Sequence, residues 1–131
     1  MKRVMLGILA ILMVVGLSGC GDSTVAVAPP SITSYQFTKD ALHEYINGSV
    51  DYYAPDSDID SMTVVVYDSR GREWSRTNTL ISHPGITQGT IPFSIDYVTF
   101  PSDAYAYTFS IYLTDFNGYT SNQAVDSFYI P

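Results

Sequence analysis

Cysteine, tryptophan, histidine and positive charge are all scarce in this 131-residue chain, which holds one Cys, one Trp, two His and six Lys or Arg. A lone cysteine closes no internal disulfide, so any fold must stand on its core alone. His43 and His83 are 40 positions apart and neither lies in a metal-ligand spacing. After Lys2 and Arg3 the only cations are Lys39, Arg70, Arg72 and Arg76, against thirteen Asp and Glu. That balance repels phosphate backbones and excludes the basic patch on which nucleic-acid binding depends. Long apolar runs are also missing. The longest, Val4 to Leu17, is 14 residues interrupted only by Gly7 and Gly16, short of the ~20 that cross a bilayer as a helix. Beyond residue 30 no segment keeps helical spacing for the ~10–12 residues a helix needs.

What is present begins with an address. A basic start, a short apolar stretch and small residues at its end describe a secretory signal peptide, expected to be helical and excluded from fold reasoning. Its last residues, Leu17-Ser18-Gly19-Cys20, resemble the lipobox of bacterial lipoproteins, with a large aliphatic residue and two small ones before cysteine. The resemblance implies cleavage between Gly19 and Cys20, a diacylglyceryl group on the Cys20 thiol and an acyl chain such as palmitate on the new amine. Each buried methylene adds ~0.8 kcal/mol, so two or three chains form a stable membrane anchor where one would not. Residues 1–19 are then the signal peptide, 20–30 a lipidated tether ending in Pro29-Pro30, and 31–131 the domain. Gly21, with Asp22 one step later, favours the outer over the inner membrane. Without Lys2 and Arg3 the mature chain has four cations against thirteen anions, a net charge of −9. Charge will not draw such a surface to anionic lipid, so attachment falls to the lipid on Cys20.

The remainder alternates at period two and is rich in Val, Ile, Thr, Tyr and Phe. In Tyr105-Ala-Tyr-Thr-Phe-Ser-Ile-Tyr-Leu-Thr114, residues 105, 107, 109, 111 and 113 share an apolar face. Strands are predicted at 32–38 (with an irregularity near its start), 45–53, 62–67, 72–79, 90–96, 105–114 and 124–130. Pro92 must face away from a ladder partner. Residues 39–44 allow one helical turn. Asp68-Ser-Arg-Gly71 and Asp115-Phe-Asn-Gly118 supply tight turns. Seven short strands in 100 residues point to an all-β, antiparallel sandwich.

Residues 30–131 resemble bacterial immunoglobulin-like and fibronectin type III-like domains, most clearly from Tyr105 through Gly118 to the Phe128-Tyr-Ile130 strand. The resemblance implies a tyrosine corner near Pro101, with the Tyr105 hydroxyl bonded back to the preceding backbone. It also implies roles in adhesion, spacing or protein binding. The paired cysteines of antibody domains are missing, and Trp74 lies in a polar segment.

Catalytic patterns fall short. His43-Glu-Tyr-Ile-Asn47 would need histidine at 47 and a helix to hold zinc. His83 precedes Pro84 in a loop, and no Gly-x-Ser-x-Gly elbow occurs. Asp56-Ser-Asp-Ile-Asp60 places carboxylates at alternate positions. Asp56, Asp58 and Asp60 are thus the calcium candidates, joined by Asp51 or Asp103 if folding brings them near. The EF-hand pattern fails at Ser61 and Tyr67, so an acidic solvated loop is the simpler reading and no metal is expected. Eleven tyrosines exceed what a small core needs. Tyr53, Tyr67, Tyr112 and Tyr129 fall on outward faces and, with Trp74, are the candidate binding surface. The expectation is therefore a non-enzymatic cell-envelope lipoprotein whose domain binds an envelope or extracellular protein. The alternative is a carbohydrate-binding module in which the exposed tyrosines stack on a glycan.

Overall fold

Period-two alternation yields seven strands among the residues described by the structure, a computed structural model covering 28–81, 85–101 and 106–130. They are β1 (Ser31–Asp40), β2 (Tyr45–Tyr53), β3 (Ile59–Tyr67), β4 (Glu73–Leu80), β5 (Gln88–Asp96), β6 (Ala106–Asp115) and β7 (Ala124–Tyr129). The signal segment and Cys20 lie outside the described residues. All ladders are antiparallel, giving one sheet ordered β1-β2-β5 and a second ordered β4-β3-β6-β7. The chain is an all-β sandwich of the immunoglobulin-like class. In the constant immunoglobulin order the fourth strand sits with the first, second and fifth; here it pairs with β3.

Local chemistry explains the strand limits. β1 shifts register between Ile32 and Ser34, the irregularity expected there. It then continues to Asp40, and residues 41–44 form a turn rather than a helical turn. Asp40 Oδ1 accepts the N–H groups of Leu42 and His43, each at 3.1 Å, which halts the ladder without starting a helix. Pro92 is accommodated because β5 is an edge strand.

The inner faces meet in one core. Ile46 and Val50 of β2 and Phe109, Ile111 and Leu113 of β6 are fully buried. Phe109 is the hub, with ring centroids 5.2 Å from Phe37, 5.8 Å from Phe93 and 6.4 Å from Phe128.

The tyrosine-corner role falls to Tyr107, two residues beyond the expected Tyr105, which lies outside the described residues. The Tyr107 hydroxyl donates to the Pro101 carbonyl at 3.1 Å, while its ring stacks on Phe128 at 5.7 Å. Tyr107→Phe keeps the ring and deletes the bond. It should lower stability by about 1 kcal/mol, read as a shift in the urea midpoint with the slope unchanged.

The two long sides of the sandwich differ. On the β1/β7 side the sheets are bridged by inward-facing side chains of β1. The Tyr35 hydroxyl donates to the Val125 carbonyl at 3.1 Å, and Lys39 Nζ donates to the Tyr129 carbonyl. Asn122 exchanges two bonds with the Ile32 backbone, at 2.8 and 3.0 Å. On the other side β4 and β5 are the edge strands of different sheets and are not hydrogen-bonded to each other.

Candidate functional site

That open side is bordered by β4. Its register sets Thr77 opposite Val64 and Thr79 opposite Met62, so both threonines point inward between the sheets. Both are nevertheless exposed. The result is a groove of about 470 Å³ floored by Val64, Val66, Ile95 and Phe100 and rimmed by Ser75 and Thr77. Trp74 stands at its end, 43% exposed, meeting Phe100 at 5.9 Å and 67°. The backbones of both rims are strand edges, with groups free to pair with another chain.

The outward tyrosines divide between the sheets. Tyr53 lies on the outer face of the three-stranded sheet, opposite Ser31 and Gln88. The other three share the outer face of the four-stranded sheet. Tyr67 is opposite Thr108, Tyr112 opposite Thr63, and Tyr129 opposite Ala106. Tyr129 is 68% exposed, and the same face carries exposed Val125 and, at its β4 edge, Leu80. Tyr112 is fixed by Arg76, whose Nη1 donates to its hydroxyl at 3.1 Å. The same guanidinium grips Glu73 through two bonds of 2.9 Å and holds its carboxyl below the ordinary range. Asn78 reaches Thr63 Oγ1 at 3.0 Å, satisfying a hydroxyl that the flanking side chains bury. The face is mixed, with the exposed Tyr129 ring and the half-buried Tyr67 and Tyr112 set among hydrogen-bonding groups. Trp74 is not part of it.

Sequence reasoning had no route to the seam. Thr77 and Thr79 carry the pattern of a half-buried strand, and only the fold shows them exposed.

His43 is an exposed turn residue, its Nδ1 2.7 Å from Asp40 Oδ2. His83 lies outside the described residues. Among the described residues no three His, Cys, Asp or Glu side chains form a group that could hold a metal ion. Asp60 is within β3 and its carbonyl accepts the Ile81 N–H, and Asp51 bonds Ser34 and Thr90 on the other sheet. Asp103 is outside the described residues. Asp56 accepts the Ala28 N–H at 3.3 Å, so the tether enters beside the β2–β3 loop. Asp58 instead meets Asp115, a residue 57 positions away. Partial burial, then the charges of Asp115 and Asp56, push the Asp58 carboxyl above its usual range.

No protein-family model and no curated protein matches the chain. Among solved structures it is similar to OgpA from Akkermansia muciniphila, with a TM-score of 0.61 and 13% identity over 80% of this chain and 28% of that one. It is also similar to a β-glucuronidase from glycoside hydrolase family 2, with a TM-score of 0.53 and 12% identity over 77% of this chain and 12% of that one. The chain thus corresponds to a minor part of each of these larger proteins. At such identities the likeness establishes the sandwich fold.

Proposed function

We propose that this chain is exported, cut before Cys20 and lipidated there, and that its sandwich is a non-catalytic domain binding an envelope or extracellular protein through the β4/β5 seam. The open seam is the observation that carries this reading. It presents unpaired strand edges beside an apolar floor, the arrangement that accepts an added strand by main-chain bonding while side-chain pockets read the partner. Gly21 after the lipidated cysteine favours the outer membrane as the location.

A photo-cross-linker at Thr77 in the native cells tests this. A discrete protein adduct is expected there and none at Ser49, on the outer face of the other sheet. With the cross-linker kept at position 77, Thr79→Lys, two residues along the same face of β4, should remove the adduct, since an edge charge blocks strand pairing. It should leave the melting temperature nearly unchanged, because the position is exposed. Recovery of glycan alone would overturn the protein reading.

The second reading, glycan binding, draws on one observation: Tyr67, Tyr112 and Tyr129 share the outer face of one sheet with Arg76 and Asn78. The likeness to a β-glucuronidase accords with it.

A further inference from the structure

We propose that the corner where Asp58 meets Asp115 is a calcium site built from two carboxylates and the Asn117 amide, independent of the protein-binding reading above. The two aspartates are brought together by the ladder. Asp115 is paired with Ile59, the residue after Asp58, and the Phe116 N–H donates to the Asp58 carbonyl at 3.0 Å. Asn117 spans them, its backbone N–H on Asp115 Oδ1 at 2.9 Å and its side-chain amide on Asp58 Oδ2 at 3.3 Å.

The pointer to a ligand is the other oxygen of Asp115. This residue is 2% exposed, the most buried acidic side chain among the described residues. Its Oδ1 is used twice, by the N–H groups of Asn117 and of Tyr119 at 2.8 Å. Its Oδ2 is buried with no hydrogen-bond partner. A buried anionic oxygen left alone is costly enough that folded proteins compensate it. A water would leave the charges of Asp115 and Asp56 acting on Asp58 without compensation. A hard dication answers both problems, binding oxygen at about 2.3–2.6 Å and offsetting the paired charge. Asn117 joins as an oxygen donor when its amide turns over, an orientation set by whatever lies opposite it. Backbone carbonyls and water complete the shell. With two carboxylates the affinity belongs to the weak extracellular range, a Kd of about 10⁻⁴–10⁻³ M.

The test uses the purified full-length chain in detergent. Calcium chloride at about 10 mM should raise the melting temperature by roughly 5 °C or more. Magnesium chloride at the same concentration, or sodium chloride at the same ionic strength, should raise it far less. Tyrosine-sensitised terbium emission should appear and be displaced by calcium. Asp58→Asn should stay folded, because the turn capped by Asp115 is untouched, and should lose both responses. Asp51→Asn, on the other sheet, should keep them. Asp115→Asn retains Oδ1 as the turn cap and, where it folds, should behave as Asp58→Asn. A folded wild-type chain without a calcium shift or terbium signal overturns the site. So does a shift that magnesium or sodium reproduces, or one that survives Asp58→Asn.

Discussion

Gly48→Ala should destabilise the domain by about 3 kcal/mol and lower its melting temperature by roughly 12–24 °C. Gly48 sits mid-strand in β2, where glycine ordinarily weakens pairing and alanine would help by about 0.5–1 kcal/mol. Here the sign reverses because the space is taken. A Cβ would lie 2.4 Å from the Gln36 carbonyl oxygen and 2.5 Å from the tip of the Phe93 ring. The carbonyl belongs to the β1 backbone, so it yields only if the β1–β2 ladder opens. Phe93 is buried and packs on Phe109 at 5.8 Å, so its ring yields only by disturbing the aromatic hub. Urea melts of Gly48→Ala, Phe93→Leu and the double variant check this. The shorter Leu relieves the ring clash but not the carbonyl clash, so the double variant should be more stable than the sum of the singles and still well below wild type. A loss under 0.5 kcal/mol for Gly48→Ala would mean that the sheet has room to adjust.

Cys20→Ser should abolish lipid labelling and leave the precursor unprocessed. Serine has a far weaker nucleophile than a thiol and receives no diacylglyceryl group, and a signal peptidase that requires the lipidated residue then leaves the precursor uncut. Metabolic labelling with a radioactive fatty acid should fall to background, and the precursor should migrate as the larger form. Continued labelling of Cys20→Ser would refute the lipobox reading. Full labelling with the chain found only in the inner membrane would refute the sorting inferred from Gly21.

Much of the fold was legible because it is written at short range. The alternation of residues 107–113 placed Phe109, Ile111 and Leu113 inward, and the pleat of a strand leaves no other choice once one face is apolar. The polar segment around Trp74 falls on one edge strand, and Pro92, which must face away from a ladder partner, falls on another. The outward directions of Tyr53, Tyr67, Tyr112 and Tyr129 came from the same two-residue period. Their division between two sheets did not, because Tyr53 and Tyr67 carry identical local patterns on strands that pair with different partners.

The sequence by itself determined an all-β domain with alternating faces, an acidic surface without a nucleic-acid footprint, and one cysteine in a lipobox-like context. These rest on composition and on contacts between near neighbours in the chain. Tertiary structure alone decided that β4 joins β3 and leaves β5 uncovered, that Tyr107 bonds Pro101, that Gly48 has no room for a methyl group, and that Asp58 faces Asp115 rather than Asp60. Each depends on segments brought together by strand pairing across the sandwich, and no local pattern records which distant strand will arrive.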